Sequence, residues 1–163
     1  MSSKTVYFGY GSNLWLDQMK RRCPESKYVG VGSLKNWKWI INERGYGNII
    51  PSAGDIVYGL MYELTARDEH DLDLYEGETY QKQIIPVDFT GTRDNPTKEV
   101  VRALVYIDVE RKGASSPRKE YIYRMNMGIA DALKEGIPAE YIDKYLRLFI
   151  PPPDARALEF SDS

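Results

Sequence analysis

The sequence predicts a single domain of the α+β class, with strands through the middle of the chain and helices in its last third. The chain has 163 residues, of which 42% are hydrophobic and 28% are charged. This composition suits one globular domain with a buried core. Neither an internal repeat nor a linker divides the sequence. We therefore expect one domain over residues 1–153 and a mobile tail over residues 154–163.

The chain is expected to begin with a strand, a sharp turn and a short helix. Residues 5–8 are β-branched and aromatic, which predicts a buried strand. Apolar residues then recur at helical spacing over residues 16–23, and Pro24 ends the run. Ser12 and Asn13 are favourable N-cap residues, so we expect them to begin this helix.

Five further segments have the β-branched and aromatic character of strands. They cover residues 29–34, 37–42, 56–62, 83–89 and 100–109. The Gly- and Asn-containing segments 45–48 and 91–96 predict loops. Trp37 and Trp39 share one face of their strand, and we assign both to the core.

The second helix is predicted between Thr65 and Gly77. Thr65 and Asp68 form a capping signal, and Gly77 is a typical C-terminal stop. Leu72 and Tyr75 lie between them at helical spacing. Glu76 is therefore expected to end this helix.

Two helices are predicted in the last third of the chain. The first follows Pro117 and ends at Gly136. Pro138 opens the second, whose apolar positions continue to residue 149 before three prolines at 151–153. The apolar stripe of the first comprises Ile122, Met125, Ile129, Ala132 and Leu133.

The turn at residues 10–14, with the sequence YGSNL, is a candidate anion or oxyanion site. The first N–H groups of a helix have no partner inside it, so a carboxylate or an oxyanion can occupy them. We expect Gly11 to approach a ligand closely, at positive φ. The third glycine of the dinucleotide fingerprint and the Lys-Ser or Lys-Thr of a P-loop are both missing. The same pattern also fits a plain connection that needs glycine only for its backbone conformation.

Glu76 is the candidate acid/base. A carboxylate in the last turn of a helix faces the negative end of the helix dipole, which raises its pKa. Partial burial beside Tyr75 and Tyr80 would raise the pKa further, towards the range of a general acid/base. The alternative is an exposed acid in a polar loop, as Glu78 illustrates.

Charge and hydropathy restrict the partners. The net charge of −2 provides no general attraction to nucleic acid, and the basic runs at 20–22 and 118–119 are expected to be solvated helix surface. No apolar run approaches the roughly 18 residues of a membrane span. We expect neither a nucleic-acid nor a membrane partner.

The cysteine and histidine content restricts the chemistry. Cys23 and His70 are the only residues of their types, which excludes an intramolecular disulfide and a Cys/His metal site. Cys23 lies on the apolar side of its helix and His70 in a charged run, so a catalytic pair is not expected. We expect no metal, no cofactor and a reducing, cytoplasmic setting.

Three sequence elements occur in a specific order along the chain. They are YGSNL at residues 10–14, YEG at residues 75–77 with Tyr80, and the stretch from Tyr121 through Met127 and Gly128 to residues 136–141. Their order and spacing over most of the chain resemble the γ-glutamylcyclotransferase family. The resemblance implies a single domain with a mixed, barrel-like sheet flanked by helices.

The resemblance also implies an activity. The expected reaction converts a γ-glutamyl amino acid or amide to 5-oxoproline and the free amino acid or amine, with Glu76 as general acid/base. The substrate's α-amine attacks its own γ-carbonyl, and backbone N–H groups around residues 10–12 stabilise the oxyanion. The implied partner is a small γ-glutamyl substrate, bound by a monomer or a homodimer. The expected substrate-binding residues are Tyr7, Phe8, Gly9, Tyr10, Gly11, Ser12, Asn13, Tyr80, Tyr121 and Tyr141.

Alternatives stay open at this point. A non-catalytic member of the same fold would bind a small acid or a protein through the same cavity, without needing Glu76 buried and facing the turn. A catalytic member could act on a γ-glutamyl amine or on glutathione. Arg44, Asn48 and Arg102 are further candidates for contacts to the leaving portion of the substrate.

Overall fold

A closed barrel of five strands forms the centre of the computed structural model, which describes residues 4–153. The barrel has the order β1-β3-β2-β4-β5. Neighbouring strands are antiparallel, except that β1 meets β5 in parallel and closes the barrel. The mixed, barrel-like sheet expected from the sequence is therefore confirmed. The strands are β1 (Thr5–Gly9), β2 (Lys27–Ile41), β3 (Gly47–Leu64), β4 (Gln81–Gly91) and β5 (Pro96–Ile107).

Within residues 4–153, four helices surround the barrel. They are α1 (Leu16–Arg22), α2 (Ala66–Glu76), α3 (Lys119–Glu135) and α4 (Ala139–Lys144), with 3₁₀ turns at Ser12–Leu14 and Leu146–Leu148. The last predicted helix is thus divided into α4 and a 3₁₀ turn. The tail predicted at residues 154–163 lies outside the described residues.

The two strands predicted at 29–34 and 37–42 form one long strand, β2. It pairs with β3 along its length, and the register shifts between Lys35 and Trp37. Asn36 lies at this shift with a φ of 69°, a left-handed conformation that asparagine tolerates better than most residues. The bulge lets the strand continue through the polar residues that suggested a break.

The core fills the inside of the barrel and its contact with α3. Trp39, Leu60 and Leu104 are almost fully buried there. Trp37 is partly buried and packs against this core, whereas Leu133, at the end of the predicted apolar stripe of α3, is 37% exposed. Helix α3 comes close to the first turn because Gly128 has no side chain: a Cβ there would lie 3.0 Å from Leu14 Cβ.

The ends of α2 confirm the sequence prediction. The Thr65 side chain accepts a hydrogen bond from the Asp68 N–H at 3.1 Å. Gly77 ends the helix at a φ of 77°, a conformation that favours glycine. Glu76 is the last residue of the helix, as predicted.

The predicted start of α1 is wrong. Its N-cap is Trp15, which makes no side-chain capping bond. Ser12 and Asn13 lie in the preceding 3₁₀ turn, where their side chains accept hydrogen bonds from Gln18 Nε2 at 2.9 Å. Hydrogen bonds from Gln18, and one from Arg124 to Ser12 Oγ at 3.1 Å, therefore occupy the groups that would otherwise cap the helix.

Candidate active site

A cavity of about 290 Å³ lies where β1 runs into the 3₁₀ turn. Its walls come from the β1–α1 connection, the β2–β3 hairpin, the end of α2, β5 and α3. This volume is near the small end of the range for ligand sites, which suits a small metabolite. The lining residues are Tyr7, Tyr10, Gly11, Ser12, Asn13, Arg22, Arg44, Tyr46, Gly47, Tyr75, Glu76, Tyr80, Tyr106, Tyr121 and Arg124.

Most of the residues that the sequence singled out meet in this cavity. Glu76 enters from α2, Tyr80 from the segment after it, and Tyr121 from α3. The remaining members come from the end of β1 and the turn that follows: Tyr7, Tyr10, Gly11, Ser12 and Asn13.

Phe8, Gly9 and Tyr141 are not among the residues that line the cavity, so their predicted role in substrate binding stays a prediction without support from the cavity geometry. Side chains alternate along a strand, so Phe8 points away from Tyr7 and is fully buried. Gly9 offers no side chain. Tyr141 belongs to α4. The centroid of its ring lies 5.0 Å from the centroid of the Tyr58 ring.

The three residues considered for the leaving portion of the substrate are separated. Arg44 lines the cavity. Asn48 is fully buried and binds the backbone oxygens of Asp108 and Arg111 at 2.9 and 3.0 Å. Arg102 is exposed on β5, outside the cavity lining.

Glu76 is a carboxylate without a direct partner. It makes no side-chain hydrogen bond and no ion pair within residues 4–153. Burial raises its pKa to about 7, while Arg22 and Arg124 oppose the rise and Asp73 adds to it. At neutral pH this carboxyl group is close to half protonated, so it can both accept and donate a proton.

A shell of neutral tyrosines surrounds the carboxylate. Burial raises the pKa of Tyr7, Tyr10 and Tyr80 above the usual value for a phenol. Tyr7 Oη accepts from Asn13 Nδ2 at 3.0 Å, and Tyr80 Oη donates to the Gly47 carbonyl at 2.8 Å. These bonds hold the rings in place around a polar interior.

The hydroxyl of Tyr121 explains the glycine at position 11. A Cβ added to Gly11 would lie 2.8 Å from Tyr121 Oη, closer than real contacts allow. The φ of Gly11 is −110°, so the predicted positive φ is wrong and glycine is required for space. Burial raises the pKa of Tyr121 to about 12, so its hydroxyl is neutral at physiological pH.

Two side chains from the sheet donate hydrogen bonds to carbonyl groups of the turn, while two backbone N–H groups of the turn have no acceptor among the described residues. Trp39 Nε1 donates to the Tyr10 carbonyl at 3.0 Å, and Tyr62 Oη donates to the Asn13 carbonyl at 2.7 Å. In the part of the chain that the structure describes, the backbone N–H groups of Gly11 and Asn13 donate no hydrogen bond. Free N–H groups in a cavity wall are the feature that an oxyanion needs.

Sequence reasoning missed six members of the wall. Arg22 lies in a basic run interpreted as solvated surface, yet it lines the cavity. Arg124 follows Tyr121 by three residues on α3, so the two share a helix face, and this spacing was an available signal. Tyr46, Gly47, Tyr75 and Tyr106 were likewise not named as site residues, although Tyr75 was expected beside Glu76.

Two negative findings apply to residues 4–153. They contain no group of three or more His, Cys, Asp or Glu side chains placed to hold a metal ion. None of the helices in that range has the length and apolar character required to cross a membrane.

Comparison with known proteins gives consistent matches. The family model described as "Gamma-glutamyl cyclotransferase, AIG2-like" matches residues 7–124, a range that includes every residue of the cavity wall. The gamma-glutamylcyclotransferase of Mus musculus is 27% identical over 150 residues, covering 85% of this chain and 76% of the mouse protein. That of Homo sapiens is 25% identical, with the same coverage of both chains.

Solved structures support the fold. A structure of a gamma-glutamyl cyclotransferase superposes with a TM-score of 0.76 and 21% sequence identity. The match covers 98% of this chain and 99% of the other. At this identity the likeness concerns the fold alone.

Proposed function

Because the chain belongs to the "Gamma-glutamyl cyclotransferase, AIG2-like" family, we propose that it cyclises a γ-glutamyl compound to 5-oxoproline. The products are 5-oxoproline and the amine or amino acid that was attached to the γ-carbonyl. The observation that carries the proposal is Glu76, a carboxylate with a pKa of about 7 in a cavity beside the glycine turn.

The first step is proton removal. Glu76 in its carboxylate form takes a proton from the α-ammonium group of the substrate. The free amine then attacks the γ-carbonyl carbon of the same molecule and forms a five-membered ring. The reaction is intramolecular, so the enzyme contributes mainly by holding the chain folded and the amine deprotonated.

The second step is departure of the leaving nitrogen. The γ-carbonyl oxygen becomes an oxyanion, which the free N–H groups of Gly11 and Asn13 can stabilise. Glu76, now protonated, returns its proton to the leaving nitrogen, and the carbon–nitrogen bond breaks. The ring nitrogen loses a second proton, which the released amine takes up to leave as an ammonium ion. Two protons therefore pass from the α-nitrogen to the leaving nitrogen, and no water is consumed.

Cellular setting and assembly complete the proposal. With Cys23 as its one cysteine, the chain suits a reducing, cytoplasmic compartment. It acts as a monomer or a homodimer on a small-molecule substrate, without a metal or an organic cofactor.

Product analysis tests the reaction type. The purified protein is incubated with γ-glutamyl-alanine and γ-glutamyl-ethylamide, and 5-oxoproline, glutamate and the released amine are quantified. Cyclisation predicts equal amounts of 5-oxoproline and amine from at least one substrate, without glutamate. Release of glutamate would show hydrolysis, and absence of both products would contradict the activity.

A further inference from the structure

The cavity contains more positive charge than the single carboxylate of Glu76 requires. Arg22, Arg44 and Arg124 all line it, and all three are half-buried. Arg124 is paired with Glu120, at 2.8 Å between Nε and Oε2. Within residues 4–153, neither Arg22 nor Arg44 forms an ion pair with a carboxylate. Since a half-buried unpaired charge is unfavourable, two such arginines favour an anionic ligand.

Each of the two unpaired guanidinium groups lies over the ring of a tyrosine. Arg22 lies over the ring of Tyr75, 4.7 Å from its centroid, and Arg44 lies 5.5 Å from the centroid of Tyr46. Arg44 also donates to Thr79 Oγ1. A guanidinium stacked on a ring keeps N–H groups along its edge, and this edge matches the two oxygens of a carboxylate.

The two arginines come from different elements and act on different groups of the cavity. Arg22 is on α1, and its Nη1 donates to Asn13 Oδ1 at 3.4 Å. Its positive charge opposes the rise in the pKa of Glu76. Arg44 is on the loop between β2 and β3. The Arg44 charge opposes the rise in the pKa of Tyr80, whose hydroxyl donates a hydrogen bond to the Gly47 carbonyl. Arg22 therefore faces the carboxyl group of Glu76, whereas Arg44 is not among the charges that act on Glu76 and is available to a second negative group.

A γ-glutamyl amino acid has two carboxylates, one for each of the two unpaired arginines. Its α-carboxylate is on the carbon that bears the attacking amine, so it must bind close to Glu76, on the side of Arg22. Its second carboxylate belongs to the leaving amino acid, on the far side of the bond that breaks. A γ-glutamyl amine lacks this second carboxylate.

We propose that Arg44 is a specificity-determining residue that binds the carboxylate of the leaving amino acid. The chain therefore prefers γ-glutamyl amino acids to γ-glutamyl amines. This inference rests on the proposed cyclisation and assigns the substrate class of the same cavity. Loss of a hydrogen-bonded charge pair reduces binding roughly tenfold to a hundredfold, which sets the expected size of the preference.

The test compares two substrates that differ by one group. γ-Glutamyl-alanine and γ-glutamyl-ethylamide have the same leaving-group skeleton, except that the second lacks the carboxylate. The ratio of their kcat/KM values is measured for the wild type, for Arg44→Met and Arg44→Gln, and for Arg102→Met. Arg102 is exposed and outside the cavity wall, so its variant controls for loss of an arginine.

A wild-type ratio of roughly ten to a hundred in favour of γ-glutamyl-alanine is expected. It should fall towards one in both Arg44 variants, mainly through a higher KM for γ-glutamyl-alanine, and stay at the wild-type value in Arg102→Met. Melting temperatures identify which Arg44 variants are folded, and either one suffices.

Two results would overturn the assignment while leaving the cyclisation intact. One is a wild-type ratio near one, which needs no variant to interpret. The other is a wild-type ratio that survives in a folded Arg44 variant. If neither substrate yields 5-oxoproline, the proposed function itself fails, and the assignment of Arg44 fails with it.

Discussion

At the scale of single residues, Glu76 shows how one position can be unfavourable for folding and suited to chemistry. It ends α2, where the helix dipole disfavours a negative charge, and the wall of the cavity limits its solvation. Arg22 and Arg124 oppose these effects without ion-pairing to it. The outcome is a carboxyl group that titrates near neutrality.

The pH dependence of turnover follows from this titration. Since Glu76 must be deprotonated to accept the substrate's proton, kcat/KM should rise with pH and level off above its pKa of about 7. Initial rates of 5-oxoproline formation between pH 5 and 8 measure this limb. A rate that is flat across that range would contradict the role of Glu76 as the base.

The contact between Gly11 and Tyr121 predicts an energetic coupling. Gly11→Ala places a methyl group 2.8 Å from Tyr121 Oη, and overpacking of this kind costs about 1–3 kcal/mol of stability. Tyr121→Phe removes the hydroxyl, so Gly11→Ala should cost less in that background. Urea unfolding of the wild type, both single variants and the double variant measures the coupling. If the changes in unfolding free energy of the two single variants add up to that of the double variant, the two groups do not contact each other.

At the scale of elements, the sequence was most informative where local chemistry decides the structure. Helix α2 begins and ends where Thr65 and Gly77 predicted, because an N-cap side chain and a glycine at positive φ act within a few residues. The start of α1 was mispredicted because the side chains of Ser12 and Asn13 accept from Gln18 instead, and Ser12 also accepts from Arg124 of α3, a contact that depends on the tertiary fold.

The long strand β2 illustrates the same limit. Its polar residues around Asn36 suggested a break, yet pairing with β3 carries the strand through a bulge. Such pairing depends on a strand that follows later in the chain, so local pattern cannot reveal it.

Thr65 provides a prediction at this scale. Thr65→Ala removes the hydrogen bond to the Asp68 N–H, and loss of a cap costs about 1 kcal/mol. The free energy of unfolding, measured in urea, should fall by this amount, whereas Thr65→Ser should retain most of it. Because Glu76 lies at the opposite end of α2, kcat should be unchanged. Full stability of the Ala variant would show that the cap is unimportant.

At the scale of the whole molecule, closure of the barrel brings residues from position 7 to position 124 around one cavity. The sequence indicated Glu76 and the glycine turn because each carries a recognisable motif. Arg22, Tyr46 and Tyr106 carry none. Their inward direction depends on how the strands and helices close, which a single sequence does not display.

The raised pKa of Glu76 also affects the stability of the whole molecule. Its pKa rises from 4.5 to about 7 on folding, so the folded state holds the proton more tightly than the unfolded state. The corresponding stability is complete below pH 4.5 and is lost as the pH rises through 7, by about 3 kcal/mol at most.

Glu76→Gln should therefore be more stable than the wild type at pH 8, with the difference shrinking towards pH 4.5. Thermal or urea unfolding of both proteins across this range measures it. Glu78→Gln, which changes an exposed neighbour, is the matched control and should show no such trend. A pH-independent difference between Glu76→Gln and the wild type would contradict the burial of a titrating carboxyl group.

Turnover by Glu76→Gln shows directly whether the Glu76 carboxyl group carries the proton. The substitution keeps the size and hydrogen-bonding capacity of the side chain but removes the group that carries the proton. With γ-glutamyl-alanine or γ-glutamyl-ethylamide, whichever the wild type turns over faster, 5-oxoproline formation should fall by roughly a hundredfold or more. Glu78→Gln should retain wild-type turnover. Near wild-type 5-oxoproline formation by a folded Glu76→Gln protein would contradict the account.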